Sequence, residues 1–212
     1  VFPMERDIYS RLGARVEFVG HPLLDRIKIK ETKTEIFKQL ELTPKQKVIG
    51  LMPGSRPSEI DSLLPEMLKA AEKLSRERDN YQFVIPLASG VDKSKICQQV
   101  SQFNLIARVV ENYTYQTMAI SDLLLVASGT ATLEAAILKT PMVIMYKTSP
   151  STYRLGKRLI QPDYIGMPNI IANNQIVPEL LQDEVRGDNI YRESLKLLNK
   201  PYLLTGIKNK LE

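Results

Sequence analysis

The sequence predicts an α/β domain, with a parallel sheet covered by helices on both faces. Short apolar runs alternate with longer amphipathic stretches along most of the chain. The runs are apolar at consecutive positions, as strands buried on both sides must be. None approaches the roughly 20 apolar residues needed to cross a bilayer.

In order, strands are expected at 16–19, 48–52, 82–86, 108–111, 123–127 and 142–146, with helices at 33–41, 59–78, 93–103, 114–120 and 132–138 between them. The run at 48–52 ends in Pro53-Gly54, and a long helical pattern starts near Ser58. The run at 123–127 is broken by Ser128-Gly129-Thr130, and the strand at 142–146 follows a short apolar helix. Beyond Ser149 the pattern is mainly helical, with a helix at 188–198 and a looser tail.

The stretch SGTATLEAAILKTPMVIMYKTS, from Ser128 to Ser149, is the most informative. Its small residues and hydroxyls sit where the free N–H groups of a helix start point outward, which suits a phosphate or pyrophosphate. Glu134 is the lone acid in an otherwise apolar helix. A capping box from Ser128 or Thr130 would need its acid at 131 or 133, where Ala131 and Leu133 stand. Two readings remain: simple solvent exposure, or a carboxylate one turn past a phosphate-binding helix start, accepting hydrogen bonds from a ribose diol.

A second candidate site is Pro53-Gly54-Ser55-Arg56. Ligands of open parallel sheets bind beyond the carboxyl ends of the strands, so this loop and Ser128–Thr130 are expected on one edge. Gly54 permits a tight turn, and Arg56 offers a bidentate fork for phosphate or stands as an ordinary surface arginine. Ser58-x-x-Asp61 reads as a capping box, and Glu59 as an acid favoured by the helix dipole. Asn169, expected in a loop after Pro168, is either a turn residue or an amide free for a sugar or phosphate. His21, the one histidine, reads as a structural hydrogen-bonding group in a turn before Pro22.

Composition narrows the classes further. With 43% hydrophobic and 25% charged residues, the 212-residue chain has material for a real core. One cysteine, Cys97, excludes an internal disulfide and suggests a reducing compartment. One Cys, one His and no Asp-x-Asp leave no metal site or thiol nucleophile in view. The net charge of +5 is spread along the chain without interleaved aromatics, which argues against nucleic acid. Arg154, Lys157 and Arg158 fall at helical spacing beside Leu155 and Leu159. That face is either solvated or able to rest on an anionic membrane.

Five segments together resemble the lipid-A-disaccharide synthase family of GT-B glycosyltransferases. VEFVGHPLLD from Val16 resembles its "VGHPL" region, and GLMPGSR from Gly50 with Glu59-Ile60 its "LLPGSR…EI" loop. SGTATLE from Ser128, MPNIIA from Met167 and VPELLQ from Val177 resemble "SGTATLE", "LPNIIA" and "VPELLQ". The segments occur in family order over nearly the whole chain.

The resemblance implies a Rossmann-like half of a GT-B fold that binds UDP-2,3-diacylglucosamine. A glycosyl unit would pass from this donor to the lipid acceptor 2,3-diacylglucosamine 1-phosphate, releasing UDP. It assigns donor contacts to Gly54, Ser55, Arg56, Ser128, Gly129, Thr130, Thr132, Glu134, Asn169 and Gln182, with Arg56 on the leaving-group phosphate. No metal or cofactor is implied, and the acceptor base would lie in the N-terminal domain. Residues 1–30 are expected to be the end of that domain and a linker, 31–186 the UDP-sugar domain, and 187–212 C-terminal helices. The start, resembling the family's "PFE" segment, suggests an excised C-terminal half, and Leu211-Glu212 a cloning scar. The expected place is the bacterial cytoplasm, peripheral to the inner membrane; membrane contact and a homodimer are both compatible with it. A UDP-sugar 2-epimerase of the same fold and a non-catalytic nucleotide-binding module are the alternatives.

Overall fold

The computed structural model describes residues 3–77, 80–149, 153 and 163–212. The N-terminal part carries α1 (Pro3–Arg11), α2 (Leu23–Arg26) and α3 (Lys33–Gln39). The alternating core follows as β1 (Lys47–Met52), α4 (Pro57–Glu77), β2 (Tyr81–Leu87), α5 (Lys93–Val100), β3 (Ala107–Glu111), α6 (Thr114–Ile120), β4 (Leu123–Ala127), α7 (Thr130–Ile137) and β5 (Met142–Tyr146). After it come α8 (Met167–Ala172), β6 (Glu179–Leu181), a 3-10 turn at Gln182–Glu184, α9 (Gly187–Leu198) and α10 (Pro201–Lys210). The basic stretch with Arg154, Lys157 and Arg158 lies outside the described residues.

Six strands form one parallel sheet in the order β3-β2-β1-β4-β5-β6. The expected parallel α/β architecture is therefore present. Successive strand residues face opposite sides, and two buried clusters result. Ile49, Leu51, Phe83 and Ile85 join Leu64 and Leu68 of α4 in the larger cluster. Val48 and Val84 join Ile36 and Phe37 of α3 and Ile120 of α6 in the smaller one. Ile190, Leu197 and Leu198 of α9 and Ile207 of α10 belong to the larger cluster, so the C-terminal helices share the sheet's core.

Local chemistry explains the helix starts. Thr32 and Glu35 form a reciprocal capping box before α3. The Asp92 side chain accepts from Ser94 N at the start of α5. Proline opens α4, where its missing N–H leaves nothing unmade. Along α4 the buried set Ile60, Leu63, Leu64, Met67, Leu68, Ala71 and Leu74 keeps the three-four spacing of an amphipathic helix.

Four expectations need correction. Residues 16–19 form no strand; they are irregular, and Val19 is 87% exposed. No described strand pairs with them, and an unpaired strand leaves its backbone groups without partners. The segment around Asn169 is helix α8 rather than a loop, opening with Pro168 in its first turn. The tail after 198 forms α10. The acid that folds back at the start of α4 is Glu59 rather than Asp61, because the helix begins at Pro57.

Gly50 lies at the centre of the sheet, level with Val84 of β2 and Leu124 of β4. A Cβ there would stand 2.5 Å from Leu124 Cδ2 and 2.9 Å from Ser121 Oγ. Gly50→Ala is expected to destabilise the domain by about 1–3 kcal/mol through overpacking, seen in urea unfolding as a lower midpoint with an unchanged slope.

Candidate functional site

From β1 the chain steps outward through β2 to β3, and from β4 the opposite way to β5 and β6. The loops after β1 and β4 therefore part at the carboxyl edge and leave a crevice, the usual ligand position in such sheets. A cleft of about 330 Å³ opens there, lined by Gly54, Ser55, Arg56, Glu59, Ser128, Gly129, Thr130 and Glu134. Pro86, Ala88 and Thr114, from the carboxyl ends of β2 and β3, complete its wall. Seven of the ten residues expected in the site thus meet in one place.

Gly54 takes φ +106°, a conformation open to glycine, and turns the loop back towards α4. Arg56 Nη1 donates to Glu59 Oε1 at 2.9 Å. Glu59 Oε2 lies 3.3 Å from Ser55 N and 3.4 Å from Arg56 N. Glu59, set aside in the sequence as a dipole acid, therefore belongs to the wall of the cleft.

No side chain caps the start of α7, where Gly129 precedes the helix. Thr132 N turns back to Gly129 O at 3.1 Å, while the N–H groups of Thr130 and Ala131 stand as donors at the positive end of the helix dipole. Ser128 Oγ donates to Ile165 O at 3.2 Å, which ties the helix start to the segment before α8. Thr132 departs from expectation: it is fully buried, and its hydroxyl donates to Gly129 O at 2.8 Å. It shapes the turn from beneath instead of facing a ligand.

Glu134 is half-buried and accepts a hydrogen bond from Tyr115 Oη at 2.9 Å. Burial, followed by the hydrogen bond and charge of Glu134, pushes the Tyr115 hydroxyl above the ordinary phenol value. Tyr115 thus remains a donor at neutral pH, holding one carboxylate oxygen. Sequence reasoning missed Tyr115. Its signal was position: the first turn of the helix after β3 lies at the same sheet edge as the other site loops.

Asn169 and Gln182 lie away from the cleft. Asn169 is fully buried, and its Oδ1 accepts from Ile176 N (2.7 Å) and Val177 N (3.0 Å). Its Nδ2 donates to Val177 O (2.9 Å) and Glu179 Oε1 (2.7 Å). The amide expected to be free for a sugar is saturated by protein. Glu179, also missed in the sequence, accepts from Ile165 N and Gly166 N at 2.9 Å each. Gln182 accepts from Thr148 N at 3.2 Å, donates to Thr148 O at 3.1 Å, and lines a different, charged depression with Lys147 and Arg186. His21 Nδ1 accepts from Leu23 N at 3.2 Å, in the turn before α2.

A second cleft of about 510 Å³ lies beside the first. Arg56, Glu59, Ala127 and Ser128 wall both, and Ser58, Ser62, Tyr146, Lys147 and Thr148 line the second but not the first.

Strand order 3-2-1-4-5-6, with a donor-rich crevice at its point of reversal, defines one Rossmann-like half of the GT-B class. Among solved structures of this fold, UDP-GlcNAc 2-epimerase from Neisseria meningitidis matches with a TM-score of 0.61 at 16% identity, over 90% of this chain and 48% of its own. The C-terminal domain of a group 1 glycosyl transferase from Francisella tularensis matches with a TM-score of 0.58 at 15% identity, over 89% and 93%. A family model for lipid-A-disaccharide synthetase matches residues 1–205, and the chain belongs to that family. Lipid-A-disaccharide synthase from Geobacter sulfurreducens is 42% identical over 201 residues, covering 95% of this chain and 52% of the relative. The enzyme of that name from Persephonella marina is 41% identical over 219 residues, covering 100% and 58%. The chain thus spans about half the length of these relatives.

Spectrophotometric titration is expected to find Tyr115 ionising late, and Glu134→Gln to bring that ionisation to lower pH by removing the adjacent charge. Tyr191, whose hydroxyl is raised first by its hydrogen bond to Glu77, stays late in that variant. Asn169→Ala is expected to lower stability by about 2–3 kcal/mol, because the buried N–H of Val177 and the half-buried N–H of Ile176 lose their acceptor; urea unfolding measures it.

Proposed function

We propose that this chain is the donor-binding half of a lipid A glycosyltransferase, holding UDP-2,3-diacylglucosamine. In the whole protein, the acceptor's 6-hydroxyl would attack the donor's anomeric carbon. The bond from that carbon to the β-phosphate oxygen breaks, its electrons stay on UDP, and the hydroxyl proton passes to a base. The product is the β-1,6-linked disaccharide 1-phosphate. The base belongs to the part of the relatives that this chain does not span. Work at the surface of the inner membrane follows from the acyl chains of both substrates. No described helix is long and apolar enough to cross that membrane.

One observation carries the reading: Arg56, the uncapped start of α7 and Glu134 meet in a single cleft. Arg56 and the N–H groups of α7 suit the pyrophosphate, where negative charge grows as the glycosidic bond breaks. Gly54 and Ser55 let the loop approach it, with Ser128, Gly129 and Thr130 on the opposite side. Glu134, one oxygen held by Tyr115, keeps the other for a ribose diol. Thr132, Asn169 and Gln182 act through the backbone they hold. The likeness to 2-epimerases rests on the fold, at 16% identity or less in the cases compared, whereas sequence kinship favours transfer.

Calorimetric titration with UDP, with and without magnesium, tests the proposal. Binding independent of the metal and lost with uridine is the expected result. Glu134→Ala should weaken UDP about tenfold, the worth of hydrogen bonds to a charged group, with the melting temperature kept. An unchanged affinity in that variant would sink the ribose assignment. If the folded chain binds no UDP, the same titration on the longer protein decides whether its other half completes the site.

A further inference from the structure

We propose that Glu59 is a positioning residue: its carboxylate closes the 53–56 loop and holds the Arg56 guanidinium ready for a diphosphate. The proposal rests on the reading of the cleft as a nucleotide diphosphate site.

An acid in the first turn of a helix needs only nearness to gain from the dipole. Glu59 does more, accepting from Arg56 Nη1 and from the Ser55 and Arg56 N–H groups at once. Its side chain lies across the turn so closely that a Cβ on Gly54 would stand 2.4 Å from Glu59 Oε2. Turn and carboxylate are built as one unit.

The pair makes little sense as a stabilising device. The Arg56 side chain is 79% exposed and that of Glu59 26%, and ion pairs this open contribute about 0–1 kcal/mol at most. Its effect on a ligand is larger in principle. An unpartnered arginine at such exposure must surrender rotamer freedom when it binds. Here Glu59 engages one guanidinium nitrogen, and the planar fork keeps its other donors for an anion. The negative charge of Glu59 opposes that anion, so positioning and repulsion predict opposite signs when the acid is removed.

The experiment is a double-mutant cycle on this chain, with UDP and inorganic pyrophosphate as calorimetric probes. Glu59→Ala is expected to weaken both ligands about five- to twentyfold. In an Arg56→Ala background the same change should alter affinity less than twofold, because there is no guanidinium left to aim. Equal weakening in both backgrounds would reduce Glu59 to a general support of the loop and overturn the proposal. Unchanged or tighter binding in the single variant would overturn it too, marking Glu59 as a competing resident anion. Thermal melting accompanies each variant, and Glu59→Gln takes the place of any Glu59→Ala protein that fails to fold. If this chain fails to bind UDP, the cycle is run on the longer protein. There, binding of pyrophosphate but not UDP would sink the nucleotide reading while the cycle on pyrophosphate still judges Glu59, and failure to bind either ligand would overturn both.

Discussion

The pairing of β1 with β4 is the constraint on which the site depends. Val48 N donates to Asp122 Oδ2 at 2.9 Å, and Asp122 N donates to Val48 O at 2.8 Å, just ahead of the ladder. The register then runs from Ile49 against Leu123 to Met52 against Val126. Both strands end at nearly the same height, so Pro53 and Ser128 leave the sheet side by side. A slip of one residue would turn every side chain of β1 to the other face. It would also separate the Arg56 loop from the start of α7.

On that frame the site is made mostly of backbone and a few charges. The loop after β1 brings a cation, the helix after β4 brings unfilled N–H groups, and α7 brings a carboxylate one turn on. Each is fixed by a hydrogen bond to a neighbouring group. Glu59 holds Arg56, Ile165 holds Ser128, and Tyr115 holds Glu134. Such support limits how much ordering a ligand must bring about when it enters.

Much of this was legible in the residues because it depends on local pattern. The strands at 123–127 and 142–146 are continuous apolar runs closed by breakers, and the structure has them at those bounds. The phosphate-suited turns stood out because glycine and small hydroxyl residues follow such strands directly. What failed depends on contacts made across the fold. Val16-Glu-Phe-Val19 has strand composition but no partner strand among the described residues. β6 is three residues long, and its first, Glu179, is committed to the segment before α8, leaving no periodicity to detect. Asn169 resembled a ligand group because its type is right. Burial and four protein hydrogen bonds, invisible in the sequence, make it a clamp.

The ridge between the two clefts has a consequence for inhibitor chemistry. Arg56, Glu59, Ala127 and Ser128 line both cavities, so the two adjoin one another. Fragments seated in each would need only a short tether to become one molecule. Their combined strength would come chiefly from the high local concentration of the second fragment once the first is bound. A rigid tether shaped to the Arg56–Ser128 crest would keep that advantage, whereas a long flexible one would dilute it.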